Sequence, residues 1–317
     1  MTVEAPVAAS GLDRRRFVQL AGLSGAALLA GCRSSSPLGD RRPLRLGYVS
    51  PQSGSLFAFG EADNFVISSA QQTFKDGLEI GGRAYPVEIL VRDSQSDPER
   101  AGEVAAALIT GDQVDLMLVS STPETTNPVA DACERSGVPC ISTVTPYQPW
   151  FLARDPPQDP RNPEPYHWTW HFFWGLEDII GVFSDMWGQV ENNQVLGGLW
   201  PDAGELAQEY TRATGRQWTQ PIGFVHALFE VAADVLRRAG DVSDRQALVD
   251  AIKATSLNTI VGRVSWAKSQ ADFPNVARTP LVGGQWRRGR TWPFELEIVS
   301  NATHPEIPAS STLQPIA

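Results

Sequence analysis

The sequence has 317 residues, of which 42% are hydrophobic and 20% charged, and its formal net charge is −10. A chain of this length and composition can bury one large core or two medium ones, and it is not typical of a disordered protein. The acidic balance argues against a protein that binds a phosphate backbone, so no nucleic-acid partner is expected. Three cysteines are too few for a disulfide-rich scaffold.

Residues 1–31 predict an export signal. The run Arg14–Arg16 before Phe17 resembles a twin-arginine (Tat) signal, which carries folded proteins. The apolar stretch that follows is too short for a permanent membrane span, and residues 29–32 resemble a bacterial lipobox, whose cysteine is lipidated. Cys32 is the expected lipidation site, which would anchor the chain at the outer face of the cytoplasmic membrane. The alternative is an N-terminal anchor that is never cleaved.

After a flexible tether at residues 32–42, strands and helices are predicted to alternate. Strands are predicted at 44–49, 87–91, 114–119 and 138–142, helices at 58–76, 98–109 and 128–136, and a tight turn at Gly81-Gly82. This order predicts an α/β protein with a doubly wound parallel sheet, whose first lobe covers residues 43–145.

Three polar loops, at 51–57, 120–126 and 143–147, follow predicted strands and are expected at the carboxyl edge of the sheet, where such sheets bind ligands. Hydroxyl groups and the N–H groups at helix N-termini suit a carboxylate or another small polar group. For each serine or threonine, the alternative is a role in a cap or turn. The candidate ligand-binding residues are Gln52, Ser53, Gly54, Ser55, Ser120, Ser121, Thr122, Thr143, Thr145 and Tyr147.

Three segments, 46–54, 121–128 and 137–143, resemble in order and spacing the first lobe of solute-binding proteins of ABC importers. The nearest group is the branched-chain amino acid and amide (Leu/Ile/Val, urea) type, which has the type I periplasmic binding fold. The resemblance implies a small-molecule ligand such as an amino acid, an amide or a small carboxylate, a membrane permease as partner, and no cofactor. It also implies that loop groups hold the ligand's carboxylate and amine, and these carry over to Ser53, Gly54, Ser121, Thr122, Thr143 and Thr145.

Residues 146–175 are predicted to cross between lobes. Seven prolines in residues 146–165 predict a stiff loop, and the aromatic segment 166–174 predicts a strand. His167 and His171 would lie roughly 13 Å apart in a strand, too far to share an ion. No metal site is therefore expected.

Lobe 2 is predicted to begin at residues 176–202, with a helix at 176–190 and a strand at 194–200. The resemblance implies that the exit loop of this strand faces the ligand, which makes Trp200 a further candidate contact. The alternative for Trp200 is packing at the strand end.

Residues 203–255 contain helical patterns at 203–214, 221–239 and 243–254, the last capped by Ser243, and no convincing strand. The resemblance implies several more βα units before the helices that return to lobe 1, so roughly 100 residues of lobe 2 are missing between Trp200 and Ala203. Residues 203–255 are then the returning helices, and residues 256–317 are the closing strands and C-terminal tail. The expected fold is a near-complete first lobe with a truncated second lobe. This truncation would weaken ligand binding and expose apolar surface. A natural short variant, an internally deleted gene and a truncated sequence all remain open.

Cys133 and Cys140 are predicted to form a disulfide or to remain two buried thiols. No nucleophile elbow, phosphate-binding glycine loop or Cys-x-x-Cys pair is present, so no enzyme is expected. The sequence predicts an exported solute-binding lipoprotein of an ABC importer. The alternatives are an envelope sensor or interaction lipoprotein, or an internally deleted binding protein with impaired ligand binding.

Overall fold

A computed structural model describes residues 42–154, 166–190, 198–199, 204–266, 273, 275–290 and 294–315. The predicted signal with Cys32, most of the tether, residues 155–165 and Trp200 lie outside the described residues.

The described residues form thirteen strands and eight α-helices. The strands are β1 Leu44–Ser50, β2 Leu78–Ile80, β3 Arg83–Tyr85, β4 Val87–Asp93, β5 Leu116–Ser120, β6 Cys140–Thr143, β7 Thr169–Phe173, β8 Gly198–Leu199, β9 Ser256–Thr259, β10 Gly262–Ser265, β11 Val276–Arg278, β12 Gly283–Arg288 and β13 Phe294–Ser300. The helices are α1 Asp63–Thr73, α2 Pro98–Thr110, α3 Pro123–Ser136, α4 Tyr147–Leu152, α5 Leu176–Gly188, α6 Gly204–Thr214, α7 Pro221–Ala239 and α8 Arg245–Lys253.

Six strands form one parallel sheet in the order β11-β7-β6-β5-β1-β4. Successive side chains of a strand point to opposite faces, and both faces are covered by helices. Leu46 and Tyr48 of β1 join the core that contains α1 and α7, whereas Val49 joins the core of α2 and α3. The predicted doubly wound α/β sheet is confirmed.

The sheet gains its last strand from the far end of the chain. β11 pairs in parallel with β7, so residues more than 100 positions apart become neighbours. The aromatic strand at 166–174 was predicted, but β11 was not, because three residues carry too little alternation to be recognised. Ile80 and Arg83 form the ends of the predicted Gly81-Gly82 hairpin, in which both glycines have positive φ.

The second sheet is smaller and antiparallel, with the order β13-β12-β8. Helix α5 packs on it with the buried side chains Val182 and Met186, which lie against Gly283 of β12. The opposite side of α5 exposes Leu176, Ile180 and Trp187 to 44%, 66% and 53%. We define these three side chains as the α5 apolar stripe.

Two predicted helix starts were wrong. Helix α3 begins at Pro123 rather than residue 128, because proline suits the first turn, where its missing N–H has no helical partner. Pro128 therefore lies inside the helix. Helix α1 begins at Asp63 rather than residue 58, since Phe57–Phe59 form a separate 3-10 turn.

Two further predictions are corrected. Residues 147–152 of the proline-rich segment form helix α4 rather than loop, and Pro149 is tolerated because it lies in the first turn. Helix α8 is capped by Asp244, not Ser243, because the Asp244 carboxylate accepts from the backbone N–H of Gln246.

Cys133 and Cys140 are both free and buried, so of the two alternatives the structure contains thiols rather than a disulfide. No helix within the described ranges is both long enough and apolar enough to span a membrane.

Among the described elements in the second half of the chain, helix α7 buries the most side chains in the core. Phe224 is fully buried against Phe172 and Phe173 of β7, with ring centroids 6.3 and 4.4 Å away.

Replacing Phe224 with Ala should lower the free energy of unfolding by about 3–5 kcal/mol, since the residual cavity cannot collapse fully. Denaturant unfolding followed by circular dichroism measures this change. Arg237→Ala, at an exposed position of the same helix, is the control and should change it by under ~0.5 kcal/mol. Equal losses in both variants would contradict this role of Phe224.

Candidate ligand site at the carboxyl edge of the sheet

The three predicted loops follow β1, β5 and β6, which are neighbours in the parallel sheet. Their ends therefore lie side by side at the carboxyl edge. The second and third loops touch directly, because the Thr145 hydroxyl donates to the Ser121 carbonyl at 2.6 Å. The structure thus brings the predicted loops to one edge, but the side chains differ in what they contact.

The first loop is held against the end of β4. Asp93 accepts from the backbone N–H of Gln52 at 2.9 Å and from the Ser53 hydroxyl at 2.6 Å. Although burial raises the pKa of Asp93, these and other hydrogen bonds leave it below its usual value. Gly54 has φ of +86°, and a Cβ there would lie 2.6 Å from the Gln95 carbonyl oxygen. The Ser53 hydroxyl is thus engaged within the loop, and Ser55 is exposed.

The third loop uses its hydroxyls internally. The Thr143 hydroxyl donates to the Phe172 carbonyl at 2.8 Å, and the Thr145 hydroxyl donates to the Ser121 carbonyl. Both residues are fully buried. In this arrangement they shape the edge of the sheet and have no hydroxyl hydrogen left to offer a ligand.

His171 reinforces the third loop. Its Nε2 lies 2.7 Å from the Thr145 carbonyl and its Nδ1 lies 2.8 Å from the Ser142 hydroxyl. The carbonyl can only accept, so the proton is on Nε2 and Nδ1 accepts from Ser142. Burial lowers the pKa of His171 to about 3, and the imidazole is therefore neutral.

The second loop is different, because its polar atoms are buried without partners. The hydroxyls of Ser121 and Thr122 have none, and neither do those of Thr125 and Thr126 in the first turn of α3, whereas Ser120 bonds to the Tyr48 hydroxyl. Buried hydroxyls are normally hydrogen-bonded, so an unpaired group at a sheet edge suggests a partner from outside the chain. The N-terminus of α3 adds its own partial positive charge at the same point. Thr125 and Thr126 were not among the predicted contacts.

Tyr147 takes part in a charged cluster where the chain leaves β7. Its hydroxyl donates to Glu177, and Arg278 at the end of β11 forms an ion pair with the buried Asp178. Burial and the Glu177 carboxylate raise the pKa of Tyr147, which keeps the phenol protonated. Asp178 also accepts from the backbone N–H of Gly175 at 2.8 Å. The cluster connects α4, α5 and β11, and sequence reasoning missed it because its members are up to 131 residues apart.

Asp63, the first residue of α1, is a second group that the sequence did not single out. It is fully buried, and its carboxyl group faces the hydroxyls of Tyr48 and Ser50 at the end of β1. Burial raises the pKa of Asp63 to about 7. A carboxyl group that is half ionised near neutral pH thus lies beneath the first loop.

Within the described residues, no group of three or more His, Cys, Asp or Glu side chains could hold a metal ion. His167 Nε2 contacts Gln246 at 2.9 Å, whereas His171 faces the interior. Trp200, the remaining predicted contact, lies outside the described residues.

Residues 43–193 match the family model described as periplasmic binding protein. No curated protein matches the sequence. The fold matches many solved structures, and those described below are substrate- or solute-binding proteins.

One similar structure is the branched-chain amino acid transporter substrate-binding protein LivJ of Streptococcus pneumoniae in complex with isoleucine. It is 12% identical, the match covers 82% of this chain and 100% of that chain, and the TM-score is 0.58. The leucine-binding protein LivK of Thermotoga maritima is 14% identical over 82% of this chain and 99% of that chain, with a TM-score of 0.53.

A third is a solute-binding protein of an ABC transporter from Rhodopseudomonas palustris in complex with 3,4-dihydroxybenzoic acid. It is 12% identical over 81% of this chain and 96% of that chain, with a TM-score of 0.54. At these identities the likeness concerns the fold. The resemblance to the type I periplasmic binding fold is confirmed.

The buried Asp63 gives a pH dependence of stability. The folded state holds this proton up to about pH 7, whereas an unfolded aspartate releases it near pH 4, so the free energy of unfolding should fall between these values and then level off. The loss is on the order of 4 kcal/mol, the free-energy equivalent of a pKa raised from about 4 to about 7. Asp63→Asn should remove it and be the more stable protein at pH 8, as measured by urea unfolding with choline chloride as the only salt. Asp76→Asn, at an exposed position, is the control and should keep the wild-type profile. Identical pH profiles for wild type and Asp63→Asn would contradict a raised pKa at this position.

Proposed function

We propose that this chain is the extracytoplasmic solute-binding protein of an ABC importer, and that it holds the carboxylate of a small solute at the second loop. The family match and the fold support this class of protein. The single observation that carries the site is the set of unpartnered hydroxyls around the N-terminus of α3. Donor groups and a helix N-terminus at one point favour an anionic group.

The proposed ligand class is a small carboxylic acid, and amino acids are the first candidates. Two of the similar structures contain isoleucine and 3,4-dihydroxybenzoic acid, and both compounds carry a carboxylate. Ser121 and Thr122 can each donate one hydrogen bond to such a group. The exposed Ser55 and the half-buried Gln52 border the same edge and are the proposed contacts for the rest of the solute.

The proposal extends to the location of the protein. The Tat-like run at 14–16 and the lipobox-like segment at 29–32 support export and lipidation of Cys32. A lipid anchor at Cys32 would keep the binding protein close to a permease in the cytoplasmic membrane. No catalytic step is proposed, in keeping with the transport role stated for the similar proteins.

A second candidate function, an interaction or sensor lipoprotein, is favoured by the α5 apolar stripe. Three exposed large apolar side chains on one helix face are typical of a contact surface. A solute screen distinguishes the two functions, because a pure interaction protein has no small-molecule ligand.

The ligand prediction is tested with the purified full chain carrying Cys32→Ser, which prevents lipidation. L-Isoleucine, L-leucine, their amides and 3,4-dihydroxybenzoate are screened by thermal shift, and hits are measured by calorimetry. We expect at least one carboxylic acid to raise Tm, because ligand that binds only the folded state stabilises it. If no compound raises Tm, solute binding by this chain is contradicted.

Ser121→Ala should weaken binding of the best solute about 10- to 100-fold, since a hydrogen bond to a charged group contributes about 1.5–3 kcal/mol. Ser68→Ala is the matched control, because Ser68 is exposed on α1 and its hydroxyl bonds within the helix. Equal affinities of the two variants would place the carboxylate elsewhere.

The anchor prediction concerns Cys32. In the bacterial host, wild-type protein should fractionate with membranes and carry a lipid-modified N-terminal cysteine by mass spectrometry. Cys32→Ser should lose the lipid, and Cys133→Ser, which changes a buried thiol, should keep it. An unmodified Cys32 in membrane-bound protein would instead indicate an uncleaved anchor.

A further inference from the structure

The parallel sheet ends in a long strand at one of its edges. β4 is the last strand in the order β11-β7-β6-β5-β1-β4, and among the described residues its only strand partner is β1. The register with β1 runs unbroken through all seven residues of β4, and the sequence places no proline between its ends. An edge strand of this kind is a template for pairing with another chain, and proteins normally protect it.

The hydrogen bonding of β4 shows which of its backbone groups point away from the sheet. The Leu44 N–H donates to the Pro86 carbonyl at 2.8 Å. Alternate residues of a parallel strand bond to opposite sides, so the even-numbered residues of β4 bond to β1. Val87, Ile89 and Val91 therefore direct their N–H and C=O groups outward.

A groove of about 350 Å³ runs beside this edge, between the end of α1 and residues 86–90. Val87, Ile89 and Val91 pack against one core and Leu90 against the other, yet all four side chains are only partly buried. The edge is thus open where a further strand would lie, and a further strand would complete the burial of these side chains.

Two opposite charges flank the middle of β4. Glu88 and Arg92 lie two positions to either side of Leu90, on the same face of the sheet. Glu88 forms an ion pair with Arg45 at 3.2 Å and Arg92 forms one with Asp112 at 2.7 Å, but the Glu88 and Arg92 side chains remain 47% and 38% exposed. Each of these charges can therefore take a second partner of opposite sign.

We propose that β4 pairs with β4 of a second copy of this chain, antiparallel and about a two-fold axis at Leu90. In this register Ile89 faces Val91 of the second copy, and these outward-directed residues exchange main-chain hydrogen bonds. Glu88 faces Arg92 of the second copy in a pair without main-chain hydrogen bonds, where side chains are closest. The interface thus matches hydrogen-bonding groups and charges at the same time.

Charge selects this register. Charges of one sign on an edge strand repel a second copy, but Glu88 and Arg92 are placed symmetrically and attract it. A shift of two residues leaves both charges unmatched, and a shift of four places Glu88 opposite Glu88 or Arg92 opposite Arg92. In the proposed register a row of alternating sign crosses the interface, from Arg45 and Glu88 of one copy to Arg92 and Asp112 of the other.

This pairing goes beyond solute binding. It joins the two six-stranded sheets into one continuous sheet. Because the paired strands run in opposite directions, the carboxyl edges of the two copies face opposite ways. The dimer therefore forms with or without a solute.

The interface is tested by analytical ultracentrifugation of the Cys32→Ser chain over a series of concentrations, where we expect a reversible dimer. Glu88→Arg and Arg92→Glu each place like charges opposite each other twice, so each should raise the dimer Kd about tenfold or more. Glu306→Arg, which makes the same change of charge at an exposed position after β13, is the control and should dimerise like the parent chain.

A mixture of the two charge variants provides the sharpest test. In the mixed pair, both arginines of the Glu88→Arg chain face glutamates of the Arg92→Glu chain. The mixture should therefore dimerise with an affinity close to that of the parent chain, although each variant alone dimerises weakly. This recovery also shows that both variants are folded.

Leu90→Cys reports the register, since residue 90 of each copy lies on the two-fold axis. Facing residues without main-chain hydrogen bonds have Cα atoms about 4.5 Å apart, which suits a disulfide. Glutathione disulfide should convert this variant to a covalent dimer on a non-reducing gel, while the Cys32→Ser parent, whose Cys133 and Cys140 are buried, stays a single chain.

The mass of a single chain at every concentration overturns the proposal. A dimer that neither charge reversal weakens also overturns it, because such a dimer uses another surface, for example the α5 apolar stripe. Absence of any solute that binds leaves these outcomes unchanged, so the two proposals fail separately.

Discussion

Parallel hydrogen bonding of the six-stranded sheet is the constraint on which the site depends. Parallel strands end at the same edge, so Ser50, Asp93, Ser120 and Thr143 are neighbours there although 93 residues separate the first from the last. Each strand is covered on both faces, which leaves the ends of the sheet as the places where polar groups accumulate. The helices α1 and α3 begin at this edge, and their N-termini add partial positive charge.

Polar groups buried at this edge fall into two sets. Thr143, Thr145, His171 and Asp178 are satisfied by hydrogen bonds or by Arg278, and they hold loops and strand ends in fixed positions. The hydroxyls of Ser121, Thr122, Thr125 and Thr126 near the start of α3 have no partner within the described residues. Leaving such groups unpaired costs free energy, so the second set indicates where groups from outside the chain bind. The proposed carboxylate of the solute lies at the N-terminus of α3, where the partial positive charge of the helix favours an anion.

The antiparallel sheet and helix α5 are joined to the parallel sheet by an ion pair. Arg278 at the end of β11 pairs with Asp178 of α5, close to where the chain leaves β7. The inner side of α5 packs on the antiparallel sheet, while the α5 apolar stripe faces solvent.

Local patterns in the sequence determined the strands of the first lobe, most helices, the Gly81-Gly82 hairpin and the loops of the carboxyl edge. Alternation, periodicity and turn residues act over a few positions, and they could be recognised without knowledge of the fold. Boundaries were less well predicted at Pro123 and Asp63, because a proline or a short 3-10 turn is compatible with more than one start. Only the tertiary structure decided which hydroxyls are already used: Thr143 and Thr145 bond to groups from distant segments, whereas Ser121 and Thr122 do not. It also revealed the Asp63 cluster, the Arg278–Asp178 pair and β11, because burial, charge balance and strand pairing at these places depend on residues far apart along the chain.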